Sequence, residues 1–451
     1  MPLPSKKYLN LLINNLAIMK KSLLILIVSI CVSFSYAQPT VNSELKALIQ
    51  KSFTFFPRVK ELEQQVEITS IREDITRSGY RPTITGAVTY NYIDPISIIN
   101  IPTGPGTFNE IRTQPNGNQN ASITVNQLLY DFGRAKHNLE KSKYDILIAS
   151  DNLEASKGSL ASQVASIYYS VIYLQNSIAV QDSVISYYKE FKILIDSRVK
   201  QGDALEFDAL SAQNNIDQAE NKKVDLINTM QKQLNLLAYS TGEPTRPSSN
   251  ELDFQTVFTN FDSLVQQAKQ KNKELSIAKN RILQQEQEIQ LSKANLLPTL
   301  NLNGALGVRN GYQPDIHQNR FNYLIGAGIN IPIYTGHRNS NQIKIAESSL
   351  KAFRYSSEAQ LANINRDINQ AMIDIQSSNE RLKNTESQIR QTTRALELAK
   401  SRFKNGTITY VELINAQTNL QQANLFKLQY EYQRTLAKIE LARLTGNTYW
   451  Q

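Results

Sequence analysis

Cys31 is the only cysteine of the chain, and His137, His317 and His337 are its only histidines, each far from the others. One thiol builds no intrachain disulfide, thiolate zinc site or iron–sulfur site, and three scattered imidazoles supply no paired Cys/His centre. A GxSxG elbow, a P-loop and an HExxH helix are all missing, so nucleophilic, phosphate-cradling and metallohydrolase chemistry lack their carriers. Gly104-Pro105-Gly106 imitates a phosphate-binding turn but leads into no helical pattern, which makes it a loop. The sequence therefore offers no catalytic residue, no metal ligand set and no cofactor site, and reads as something other than an enzyme.

What recurs is a pattern. Arg198-Val199-Lys200-Gln201-Gly202-Asp203 returns as Arg402-Phe403-Lys404-Asn405-Gly406-Thr407, a shift of 204. At that shift Tyr130 meets Tyr334, Arg134 meets Arg338, Ala212-Gln213 meets Ala416-Gln417 and Thr241-Gly242 meets Thr445-Gly446. Upstream the shift is 216, with Leu48 meeting Leu264 and Pro82-Thr83 meeting Pro298-Thr299. The 12 extra residues lie between the two strands of the first copy. Two copies are too few for a solenoid, so the chain is a duplicated unit. The first repeat spans 38–242, a linker 243–260, the second repeat 261–446 and a tail 447–451.

Each copy dictates the same elements. Residues 44–78 and 261–295 are charged, Gln-rich and free of Gly, with Pro57 as the one interruption, and predict helix. After Pro82 and Pro298 the period changes to two, giving strands of about ten residues near 83–93, 119–129, 299–309 and 321–332. Ile84, Gly86, Val88, Tyr90 and Tyr92 alternate with Thr83, Thr85, Ala87, Thr89 and Asn91, so each strand has one apolar and one polar or small face. That length and alternation suit a transmembrane barrel strand; the competing reading is a soluble hairpin packed on a core. The rest of the chain is helical and offers no second sheet to cover these faces. Four strands close no barrel, and open edges are not tolerated in lipid, so several chains must share one. Pro- and Gly-rich residues 94–118 and 309–320 are expected as polar loops at the outer rim.

From Arg134 to Lys200 there is no Pro and a single internal Gly, Gly158. Residues 361–403 carry a heptad seam of Leu361, Ile364, Ile368, Ala371, Ile375 and their successors through Leu396 and Phe403. Gly202 and Gly406 end these helices, and return helices run from about 204 to 240 and 408 to 444. The fold class is mainly α with a four-stranded β contribution. Its long coiled-coil helices, of roughly 100 Å at ~1.5 Å per residue, must project beyond any ~30 Å hydrocarbon layer.

Residues 1–37 read as a secretory signal peptide, with Lys20-Lys21 before an apolar run and Ala37 at the cleavage site, and with Met19 as a possible true start. The apolar run is too short for a spanning anchor. Its removal takes away Lys6, Lys7, Lys20 and Lys21 and no acid, so the net charge falls from +9 to +5. The remaining charges are interspersed, which gives a nucleic-acid surface no support and predicts no nucleic-acid partner.

Taken together, the duplication, Pro82 and Pro298 opening strands, the Tyr130-Asp131-Phe132-Gly133-Arg134 exit, the Arg198–Gly202 and Arg402–Gly406 turns and the Ala-Gln pairs resemble the TolC-like outer membrane factor (outer membrane efflux protein) family over about 41–446. The resemblance implies a homotrimer in outer membrane lipid, whose strands complete a transmembrane β-barrel only in the trimer and whose helices form an α-barrel tunnel in the periplasm. It implies a periplasmic adaptor (membrane fusion) protein docking near Arg198, Gly202, Arg402 and Gly406, fed by an inner-membrane pump or ABC transporter for efflux or type I secretion. By position, Asp208 and Glu412 match the acids of the entrance ring. Where the family's gating network has a Tyr and an Arg, this chain has Phe403 and Ile408, and a further expected acid is Asn415. The alternative function is an exported coiled-coil scaffold or adhesion protein whose hairpins pack on its own helices.

Overall fold

A computed structural model describes residues 43–254 and 260–451. The expected signal peptide lies outside the described residues. The first repeat contributes α1 (Ser43–Phe55), α2 (Pro57–Ser78), β1 (Thr83–Tyr92), β2 (Ile98–Gly104), β3 (Thr107–Arg112), β4 (Gly117–Tyr130), α3 (Arg134–Gln201) and α4 (Glu206–Thr241). The second contributes α5 (Phe261–Lys271), α6 (Lys273–Ala294), β5 (Thr299–Arg309), β6 (Arg320–Asn330), α7 (Arg338–Lys404) and α8 (Tyr410–Leu444).

Pro57 divides α1 from α2, since it has no N–H to continue the ladder and Phe56 before it is extended, at φ −70° and ψ 120°. The second copy breaks at the matching place without a proline, which corrects the expectation of one helix over 261–295. Asn272 adopts φ −68° and ψ 122°, its side chain accepts from the Glu274 and Leu275 amides, and its Nδ2 donates to the Leu444 carbonyl at 2.9 Å. An Asn cap thus does in one repeat what Pro does in the other.

β1, β4, β5 and β6 form one antiparallel sheet in the order β1-β4-β5-β6, so the central pairing joins the two repeats. Register keeps the faces separate. Val88 opposes Ala121, Ala121 opposes Val308 and Val308 opposes Phe321; Ile123 opposes Leu306, which opposes Tyr323. One face is apolar across all four strands, and it is uncovered: Val88 is 84% exposed and Ile325 78%. The other carries Thr124, Asn126, Asn301, Asn303 and Asn330, around a shallow concavity of about 420 Å³ that Asn126, Asn301, Asn303 and Asn330 line. The free edges of β1 and β6 have no partner strand among the described residues.

The stretch 94–118 departs from the loop expectation, because β2 and β3 pair as a second hairpin turning at Gly106, φ +82°. Ile98, Ile99, Ile101, Phe108 and Ile111 supply the β-forming residues. Its Pro and Gly residues supply the turn and the flanks, which is why composition alone reads it as coil.

Among the described residues the apolar core is divided into several separate clusters. The heptad seam of α7 is buried at Ile364, Ile368, Ala371, Ile375, Ser378, Leu382, Thr385, Leu396 and Phe403. Apolar clusters gather at mid-length, around Tyr168, Tyr169, Phe254 and Trp450, and near the Gly turns, around Tyr188, Phe191, Ile195 and Leu413. Among the described residues no helix is long and apolar enough to cross a membrane.

Candidate functional site at the helical tip

The two longest helices end side by side, and each end is built from the same atoms. Gly202 (φ +79°) and Gly406 (φ +72°) sit in the left-handed region, where a Cβ is strained. The Asp203 amide returns to the Arg198 carbonyl at 2.8 Å, and the Thr407 amide returns to the Arg402 carbonyl at 3.0 Å.

Across the seam between the turns lies Arg198. Its Nη2 donates to the carbonyls of Phe403 at 2.8 Å and Lys404 at 2.9 Å, and its guanidinium carbon stands 4.7 Å from the centre of the Phe403 ring. The Lys404 carbonyl, and the Phe403 carbonyl that also accepts from the Gly406 amide at 3.0 Å, thereby gain a cationic donor at the C-terminus of α7, where the helix dipole is negative. Phe403 is buried between Arg198, Phe191 (ring centres 6.0 Å apart) and Tyr410 (6.3 Å). Asn215 Nδ2 approaches the Tyr410 hydroxyl at 3.4 Å, and Lys400 stands 4.6 Å over the Tyr187 ring. Burial pushes the Tyr410 phenol up, and the nearby Asp208 charge adds to the shift. Ile408 packs half-buried on this cluster. Phe403 and Ile408 thus sit in a cation–aromatic and apolar cluster.

Asp208 and Glu412 each stand at the third residue of a return helix. Glu412 Oε2 accepts from the Thr409 amide (2.8 Å) and hydroxyl (2.9 Å), while the Thr409 hydroxyl accepts from the Glu412 amide at 3.3 Å. This reciprocal box satisfies orphan donors at the start of α8. Those two bonds, then the Arg402 charge, hold the Glu412 carboxyl below its ordinary range. Asp208 Oδ2 accepts from the Leu205 amide at 3.3 Å. Both acids have a helix-capping role, and both are anionic groups at the tip. Asn415, on the same return helix, is exposed.

Pro82 and Pro298 lie at the opposite end, immediately before β1 and β5. The structure thus gathers Arg198, Gly202, Asp208, Arg402, Gly406 and Glu412 at one end and the two prolines at the other. Sequence reasoning missed Phe191, Tyr410 and Asn215; the aromatic cluster Tyr187-Tyr188-Phe191 near the end of α3 was the available signal. Among the described residues no group of three or more His, Cys, Asp and Glu could hold a metal ion.

The family model for outer membrane efflux protein matches residues 56–243 and again 264–447, one match for each repeat. The chain belongs to the outer membrane efflux protein family. Within it, the outer membrane efflux protein BepC of Brucella suis is 20% identical over 423 residues, covering 91% of this chain and 86% of that one. The outer membrane protein TolC of Vibrio cholerae is 27% identical over 191 residues, 41% of this chain and 43% of that one. The fold is shared with a membrane protein from Pseudomonas aeruginosa, at TM-score 0.78 and 18% identity over 92% of this chain and 96% of that one. It is also shared with the MtrE outer membrane channel of Neisseria gonorrhoeae, solved in its open state, at TM-score 0.74 and 16% identity over 91% and 94%.

Proposed function

We propose that this efflux protein is a passive exit duct: a homotrimer whose strands close a barrel of about 12 in the outer membrane and whose helices continue as a periplasmic tunnel. The observation that carries the reading is the sheet, with one apolar face continuous across both repeats, one polar concave face and two unpaired edges. Backbone groups on those edges have no satisfaction in lipid until strands of other copies pair with them. The polar face then lines the lumen. The duct does no bond chemistry, so the driving energy comes from an inner-membrane pump or ABC transporter, coupled through a periplasmic adaptor that docks at the Gly202 and Gly406 turns. Cargo is small molecules in efflux or a protein in type I secretion. Three copies each of Asp208 and Glu412 ring the entrance and favour cations, as acidic rings do in other pores.

A scaffold or adhesion protein with the same helices would hide its strand faces on its own surface, whereas here they stay open. Fractionation tests the choice. The duct sediments with outer membranes and resists carbonate extraction; recovery as a soluble monomer would sink it.

A further inference from the structure

We propose that the outer end of the sheet carries an anion-binding collar, in which Arg309 and Arg320 of each copy bind a soluble polyvalent oxyanion, bearing phosphate or sulfate groups, inside the lumen. The proposal rests on the trimeric duct and deepens it by assigning a binding site to its exit.

The strands β1, β4, β5 and β6 hold two charged side chains between them: Arg309, the last residue of β5, and Arg320, the first of β6. All other residues of these strands are uncharged. Register sets the two arginines directly opposite each other, in a row that runs Thr89, Asn120, Arg309 and Arg320 across the four strands. The adjacent row, Val88, Ala121, Val308 and Phe321, belongs to the apolar face. Side chains alternate along a strand, so Arg309 and Arg320 belong to the face that lines the lumen of the proposed duct. That placement makes their ligand a soluble anion rather than a lipid headgroup.

Stability does not explain the pair, because like charges directly opposite on neighbouring strands repel. Arg309 is exposed; its Nε donates to the Tyr312 hydroxyl at 2.9 Å and its guanidinium carbon stands 4.8 Å from that ring's centre. Arg320 is half-buried, with Nη1 donating to the Gln313 carbonyl at 3.0 Å and Nη2 approaching Gln318 Oε1 at 3.5 Å. These partners are all neutral, and neither arginine forms an ion pair among the described residues. The acids of this end lie off the row. Asp94 accepts from Asn116 Nδ2 at 3.4 Å, Asp315 accepts from the His317 amide at 3.0 Å, and Glu110 lies on β3. Two uncompensated planar forks, with the Nη groups of Arg309 unused among the described residues, match the oxygens of phosphate or sulfate.

The backbone beneath them is braced. Asn310 is buried; its Nδ2 donates to the Gly117 carbonyl at 2.7 Å and its Oδ1 accepts from the Gln119 amide at 2.8 Å, which continues the β4–β5 pairing past Arg309. Gln313, whose carbonyl receives Arg320, donates its Nε2 to the Arg112 carbonyl at 3.1 Å and so ties the loop to the β2–β3 hairpin.

Magnitudes favour an effect across the whole lumen. A barrel of ~12 strands, spaced ~4.8 Å and tilted ~40°, has a radius of about 12 Å. Arginines reaching inward from that wall bring the axis within about one Debye length at 0.1 M salt, ~10 Å, but not at 1 M, where it is ~3 Å. A ring of arginines favours anions, opposite in sign to Asp208 and Glu412 at the far end of the chain.

Block of reconstituted channels by inorganic tripolyphosphate tests the collar. Polar helices of this length do not cross lipid, so protein added to one chamber of a planar bilayer presents its outer loops to the other. Tripolyphosphate in that far chamber should block wild-type channels at 0.1 M salt, and the block should vanish at 1 M. From the helix side it should block less. Arg309→Gln with Arg320→Gln should weaken the far-side block tenfold or more while discrete current steps persist. Arg112→Gln, which removes a charge of the same rim off the row, should leave the block at wild-type strength. Should the double variant not insert, the wild-type protein decides: no far-side block, or equal block from the two sides, overturns the collar. Equal block in wild type and double variant, or its loss in Arg112→Gln, overturns it as well, with the duct intact. A protein that forms no channel overturns the duct and the collar with it.

Discussion

Arg198 holds the backbone of Phe403 and covers its ring: the guanidinium donates to the Phe403 carbonyl at 2.8 Å and lies 4.7 Å from the ring centre. Those two residues come from different repeats, 205 positions apart, so the contact ties the two helical hairpins of one chain together where the duct is narrowest in the proposed reading.

Removing that tie should open the tip. Arg198→Ala strips the cationic donor from the Phe403 and Lys404 carbonyls and uncovers a buried ring, a loss of about 1–2 kcal/mol for charge-assisted bonds at a half-exposed site. Single-channel conductance is expected to rise, and Arg198→Lys, which keeps the charge but not the fork, should restore only part of the closed state. Conductance equal to wild type would show that this contact does not close the tip.

The proposed entrance acids, Asp208 and Glu412, make a pH-dependent prediction. Hydrogen bonds from Thr409 hold the Glu412 carboxyl below its ordinary range, so its charge, and the cap it forms, are present above the ordinary carboxylate pKa and are lost only as pH falls through the depressed folded value. Block of the pore by multivalent cations should therefore persist through mildly acidic pH and fade below it. Asp208→Ala with Glu412→Ala should abolish the block and raise conductance at neutral pH. Unchanged block in that variant would dissolve the ring.

At the tip turns, Gly406 has φ +72° with open space where a Cβ would stand. Gly406→Ala should cost about 1 kcal/mol of backbone strain, whereas Gly406→Pro, fixed near φ ~ −65°, breaks the turn outright. Export should fail in the Pro variant while outer-membrane recovery stays at wild-type level. Normal export would detach the turn from adaptor docking.

In the sheet, two glycines separate steric need from mere permissiveness. A Cβ on Gly307 would lie within 3 Å of the Ala121 carbonyl and the Ser122 main chain, while at Gly326 nothing stands within 4 Å. Gly307→Ala should part β4 from β5, the pairing that joins the repeats, at a cost of several kcal/mol. Its outer-membrane yield should collapse, and Gly326→Ala should insert normally. Equal yields from the two variants would contradict the register.

Much of this architecture is legible in the sequence because duplication repeats every signal. Pro57, the paired Gly turns and period-two alternation are local, backbone-level features. Asn272 escapes such reading, since an Asn inside a helical pattern breaks it only where its amide meets a buried acceptor, here the Leu444 carbonyl. The β2–β3 hairpin is obscured because its Gly and Pro residues outweigh a few isoleucines in any compositional count. The Arg198 contact is hidden for a third reason: its acceptors are main-chain carbonyls, which carry no side-chain identity, and it joins residues 205 positions apart.

Reconstitution of the purified protein into a planar lipid bilayer tests the central claim most directly. A trimer that inserts and produces discrete, ion-conducting steps is the expected result. A soluble monomer that leaves the bilayer silent would contradict the duct.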